Sequence, residues 1–235
     1  MDVNNKVEIF RSVDEFINFY SLEIPKGYDK FEVQLSETCR SSYIKHRFGR
    51  IFSAITYNFR FQSILELGVL DGYSLFSMAF GCSSKKIKTD AEDIVGVDLF
   101  DDYSYKKGKK TVVQQLIQGY GFQDFVKLRQ GDIFNDDSIM NIVASSNLIH
   151  VDLSNDGGKV ADIIKMIPEN CDALIIFEGG SNERDNVEWM LQYKKPPLRE
   201  SFTNIAKGDK YNVSIIEEFP SLTILSTGDF LSNGK

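Results

Sequence analysis

From Ser63 onward the chain alternates short apolar runs with helix-length amphipathic segments. The runs are Ile64–Leu67, Ile94–Val97, Val126–Leu128, Leu148–Val151 and Ala173–Phe177. Apolar stretches this short, flanked by helical patterns, mark strands of a parallel sheet whose helices lie on its faces. The intervening helices are expected around Ser74–Phe80, Lys110–Tyr120, Asp137–Ala144, Lys159–Ile167 and Asn186–Tyr193. After them the rhythm changes. Val213–Glu217 and Leu222–Leu225 are separated only by Glu218, Phe219, Pro220 and Ser221, too short a link for a parallel crossover, so the last pair reads as an antiparallel hairpin.

Two helices are expected before the sheet. Ser12 and Glu15 have capping-box spacing ahead of Phe16, Ile17 and Tyr20, with a stop before Pro25. Ile44, Phe48, Ile51, Phe52 and Ile55 then recur at three- and four-residue steps, with Lys45, Arg47 and Arg50 between them. The expectation is a helical segment over residues 1–60 that covers the site, and one α/β unit over 61–235. That unit is a three-layer sandwich on a seven-stranded, mostly parallel sheet.

Composition narrows the function classes. With 27 basic and 34 acidic side chains among 235 residues, the net charge of −7 speaks against non-specific binding to nucleic acid or an anionic membrane surface. Cys39, Cys82 and Cys171 are too widely spaced for a metal knuckle and odd in number, which fits a reducing compartment. The first residues lack the basic and apolar regions of a secretory signal, and no apolar run is long enough to span a bilayer, so a cytoplasmic location is expected. The apolar early helices are compatible with a homodimer.

The strongest chemical signal is the segment Ile64-Leu-Glu66-Leu-Gly68-Val-Leu-Asp-Gly72, an apolar strand that ends in a glycine turn and opens a helix. Gly68 permits a sharp turn and close approach to a ligand, Gly72 permits close packing, and the helix start offers free amides. The spacing is not the G-x-G-x-x-G of dinucleotide enzymes. Asp98 ends the second run, where a carboxylate can accept from both hydroxyls of a ribose, and Asp132 with Ile133 ends the third. As isolated residues, Asp98 and Asp132 read equally as turn caps. Glu66 is less easily dismissed, because a carboxylate inside a buried strand needs a partner.

This E-x-G-x-x-x-G loop, the acids at successive strand ends and the closing hairpin resemble the class I S-adenosylmethionine (SAM)-dependent methyltransferases over residues 63–226. The resemblance implies a Rossmann-like fold whose last strand inserts antiparallel, with SAM as cofactor. It places Gly68 against the methionine part of the cofactor and has Glu66 orient the loop or the amino group. Asp98 would hold the ribose, Asp132 would contact the adenine amino group, and Ile133 would cover the ring.

The Ile149-His150-Val151-Asp152 strand, together with the early helices, further resembles the macrocin O-methyltransferase and cephalosporin-hydroxylase-like branch. There, acids after the fourth and fifth strands hold a divalent metal, usually Mg2+, that chelates acceptor hydroxyls. Asp152 and Glu178 match two of those positions as candidate catalytic and metal-binding residues, whereas Gly179 stands where a second consecutive acid is typical. Without metal, Asp152 or Glu178 is a candidate general base. His150 reads as a packed, hydrogen-bonded strand residue and His46 as a surface one. The segment Ser181–Met190 reads as a capped, solvated helix with Trp189 in the core, or else as an acceptor-side loop in which Arg184 binds an anion.

The expected activity is therefore SAM-dependent methylation of a small-molecule hydroxyl on a sugar or related polar metabolite, as in carbohydrate or natural-product tailoring. A phosphate-linked or capsule-type glycan precursor is the alternative acceptor. An NAD-dependent oxidoreductase and a non-catalytic SAM-binding protein are the alternatives of other classes.

Overall fold

The computed structural model describes residues 6–85, 93–103, 108–154, 156–168, 173–228 and 230–231. Lys106, Asn155 and Cys171 lie outside them. Its strands are β1 (Val7–Phe10), β2 (Ser63–Leu67), β3 (Asp93–Asp98), β4 (Val126–Gln130), β5 (Leu148–Val151), β6 (Leu174–Glu178), β7 (Tyr211–Ile216) and β8 (Leu222–Thr227). They form one sheet in the order β1-β7-β8-β6-β5-β2-β3-β4. The β8 strand runs antiparallel to both neighbours and every other pairing is parallel.

The sheet has eight strands, not seven, and the N-terminal segment is not wholly helical. Val7–Phe10 pairs in parallel with Val213–Ile216 at the edge. With four residues ending just before the Ser12 cap, β1 is too short for its alternation to stand apart from the helix that follows.

The helices are α1 (Val13–Phe19), α2 (Tyr28–Thr38), α3 (Gly49–Asn58), α4 (Tyr73–Ser83), α5 (Lys110–Gly119), α6 (Asp137–Ser145), α7 (Gly157–Met166), α8 (Asn182–Asp185), α9 (Glu188–Gln192) and α10 (Leu198–Ala206). The first five pack into one core with β2 and β3; α6, α7 and α10 pack into a second core on the opposite face. The Ser12 hydroxyl accepts from the Glu15 amide, so α1 is capped where the spacing predicts.

Several helices depart from the expected pattern. In α2, Tyr28, Phe31 and Leu35 share their buried face with Glu32, whose carboxylate accepts from Arg47 Nε and the Tyr73 hydroxyl, each at 2.8 Å. A buried acid interrupts the apolar stripe that would have announced the helix. The stretch from Ile44 to Ile55 is a 3-10 turn over Ser42–His46 followed by α3, broken where Arg47 takes a left-handed φ of 59°. The expected helix over 186–193 is the shorter α9, with a separate turn of helix, α8, just before it, and Pro196-Pro197 leads into α10.

Candidate active site

The parallel strands end along one edge, and there the glycine loop leaves β2. Gly68 adopts a φ of +91°, and a side-chain carbon on it would sit 2.2 Å from the Asp152 carbonyl oxygen. Only glycine lets β2 turn away this close to the end of β5. Gly72, at a φ of +90°, is the residue from which α4 starts, and added bulk there would strike the Phe76 ring.

A cavity of about 600 Å³ follows this edge. Gly68, Asp98, Asp132, Ile133, Asp152 and Glu178 all lie on its wall. The sequence-derived candidates from five consecutive strand ends therefore share one space, and Glu66 and Gly72 do not line it. Asp98 joins the loop to its own turn: Oδ2 accepts from the Val69 and Leu70 amides at 2.7 and 2.9 Å, and Oδ1 from the Phe100 amide at 2.6 Å. Asp132 accepts from the Phe134 amide at 2.9 Å and from Asn135 Nδ2 at 2.7 Å. Both are turn caps and cavity walls at once. Ile133 is 4% exposed and Phe134 38%, an apolar lining beside the Asp132 carboxylate.

Glu66 lies beneath this floor, fully buried. Its Oε1 accepts from the Ser74 hydroxyl and lies 2.8 Å from His150 Nδ1. The other ring nitrogen of His150 is 3.3 Å from the Tyr43 hydroxyl, and Tyr43 is in turn a neighbour of Asp152. A chain of buried polar groups thus runs from Glu66 to the cavity, and His150 is the packed strand residue expected. His46 sits apart, partly exposed, with Nδ1 3.3 Å from Glu218 Oε1.

At the far end the Asp152 and Glu178 carboxyls are neighbours. Burial, followed by the neighbouring Glu178 carboxylate, raises the Asp152 carboxyl well above its ordinary range. Arg184, which the solvated-helix reading placed at the surface, is 8% exposed and lines the cavity. Trp189 is not in the core: it is 37% exposed, and Met190 takes the buried position.

The donor set does not fit the divalent metal that the resemblance implied. Asp152 and Glu178 are only two carboxylates, Gly179 contributes no side chain, and a guanidinium already lies beside Glu178. No group of three potential ligands occurs among the described residues. A divalent cation at this pair would stand against the Arg184 guanidinium beside Glu178, and two cations that close repel.

Several cavity residues carry no recognisable motif. Ser41 and Ser42 reach it from the segment before α3, and Phe219 and Pro220 from the hairpin turn. Tyr43 gave no signal, because an isolated tyrosine in an aromatic-rich segment reads as core.

No protein-family model matches the sequence, and no curated protein matches it. Solved structures do. The SAH-bound methyltransferase PaMTH1 of Podospora anserina superposes with a TM-score of 0.60 at 18% identity, over 92% of this chain and 95% of that one. An O-methyltransferase from Bacillus cereus in complex with SAH gives 0.59 at 16% identity, over 92% and 97%. This chain has the Rossmann-like methyltransferase fold. TomG of Streptomyces achromogenes, an O-methyltransferase of tomaymycin synthesis in complex with SAM, gives 0.56 at 15% identity, over 90% and 95%. No helix among the described residues is long and apolar enough to cross a membrane.

Proposed function

We propose that this methyltransferase-fold chain is a SAM-dependent O-methyltransferase acting on a small-molecule acceptor, with a hydroxyl of a sugar or related polar metabolite receiving the methyl group. The observation that carries the reading is the continuity of the cavity. It joins a glycine loop, a ribose-type acid and an apolar slot at one end to an acid pair at the other. SAM, when bound, supplies a methyl group on a sulfonium. Transfer is then an in-line displacement that asks the protein to position a nucleophile and take up its proton.

The Gly68 turn brings backbone close to the methionine portion, Asp98 accepts from the ribose hydroxyls, and Asp132 with Ile133 meets the adenine. Glu66 supports this floor through Ser74 and His150 instead of touching the cofactor, and Gly72 sets the start of α4. Glu178 and Asp152 receive the acceptor proton. The short stretches that shape the far end, Ser41–Ser42 and Phe219–Pro220, suit an acceptor of small size.

Calorimetry with SAM, SAH and NAD is the first test. Binding of the first two and not of NAD is the expected result; the reverse would make the chain an oxidoreductase. Radiolabelled methyl transfer to a panel of hydroxyl acceptors is the second. Tight SAH binding with no turnover across the panel would leave a non-catalytic SAM-binding protein.

A further inference from the structure

The cavity wall beside Glu178 holds a buried cation, Arg184. Arg184 follows Ser181, whose hydroxyl accepts its backbone amide at 3.1 Å. The side chain is nine-tenths buried, yet its hydrogen bonding is sparse. One terminal nitrogen lies 3.5 Å from Glu178 Oε1, and Nε has no partner among the described residues. The guanidinium is held instead by aromatic surfaces, with its central carbon 5.4 Å from the ring centroids of both Trp189 and Phe219.

Arg199, nearby in sequence, shows the contrast: one of its nitrogens donates to the Gly180 carbonyl at 3.1 Å and to Glu217 at 3.2 Å. A buried guanidinium ordinarily spends its fork of donors on carboxylates. Two rings fix the plane of Arg184 while leaving most of that fork unspent, which is how a preorganised anion receptor is built. The sulfonium of SAM is repelled by a second fixed cation, and the one anion the cofactor brings to this edge is its methionine carboxylate. Anion binding that persists in the SAH-saturated chain assigns Arg184 to the acceptor, and anion binding that SAH abolishes overturns that assignment.

Resting on the methyltransferase reading, we propose that Arg184 takes the place of a divalent cation at the acceptor end, its guanidinium receiving an anionic oxygen, carboxylate or phosphoryl, that the acceptor carries beside its reacting hydroxyl. The acceptor is then bound by charge and deprotonated at the acid pair with no metal in the site. Lys159, whose ammonium lies 4.3 Å over the Phe134 ring at the cavity wall, adds positive potential along the approach.

The probe is inorganic phosphate, with acetate and magnesium chloride as parallel arms, titrated calorimetrically into the chain alone and after saturation with SAH. Wild type should bind phosphate or acetate in the millimolar range and give no heat with magnesium; the tighter of the two anions names the acceptor group. Arg184→Gln should weaken anion binding about tenfold or more with SAH affinity retained. Anion binding equal in the two proteins, none in wild type, or magnesium binding that Asp152→Asn abolishes overturns the proposal. If Arg184→Gln does not fold, phosphate protection of Arg184 in wild type against phenylglyoxal, read by peptide mass, replaces it. Protection supports the proposal, and equal modification with and without phosphate overturns it. Anion binding lost in Arg184→Gln, in a chain that fails to bind SAH, would sink the methyltransferase reading and leave the anion site standing.

Discussion

At the scale of single residues, the side chains that do two jobs are the ones whose loss should be most informative. Asp98 both caps the glycine loop and faces the cavity, so Asp98→Ala removes a charged acceptor worth about 1.5–3 kcal/mol. SAH affinity measured calorimetrically should fall accordingly, and unchanged affinity would remove Asp98 from the ribose position. Gly68→Ala forces a side chain against the Asp152 carbonyl at a φ that alanine resists. The expected outcome is a lower melting temperature together with weaker SAH binding. Asp152→Asn should leave SAH binding nearly intact and lower methyl transfer, which single-turnover assays separate. The strand-end acids and glycines were legible because a parallel sheet places the residue after each apolar run at the same edge. Arg184, Tyr43 and the residues around Phe219 were not, because their roles depend on which segments fold back over that edge.

Among the elements, those with an uninterrupted pattern were readable and those with a compromise in it were not. The five central strands and the hairpin stand where their apolar runs predict. The α2 helix was hidden by Glu32, an acid on the buried face that only Arg47 and Tyr73, distant in sequence, make tolerable. The α10 helix was hidden by the two prolines ahead of it, although Leu198, Phe202 and Ala206 form its buried stripe. The edge strand β1 covers backbone groups of β7 that would otherwise be unpaired. Removing residues 1–11 should therefore lower the melting temperature and promote association, visible as a mass increase in light scattering. An unchanged profile would show that β1 is dispensable. Ser12→Ala removes the α1 cap at a cost of about 1 kcal/mol, measurable by denaturant titration.

For the molecule as a whole, the acid pair ties stability to pH. A carboxyl whose pKa is raised on folding contributes stability below its unfolded value, here 3.8, and that contribution is lost as pH rises through the folded value. Asp152→Asn cannot ionise. Its melting temperature should gain on that of wild type as pH climbs from about 4 to about 8, and a constant difference would show that Asp152 is not raised on folding.

The two halves of the cleft are also mechanically joined. Arg40, just before the serines that reach the cavity, grips Asp71 in the glycine loop through Nε at 2.6 Å and a terminal nitrogen at 2.9 Å. The canopy above the acceptor is thus fastened to the cradle beneath the nucleoside. The Arg40 amide and the Cys39 thiol add bonds to the same Asp71 at 3.0 and 3.2 Å, so roof and cradle are stitched at several points and Arg40→Ala loosens the seam without opening it.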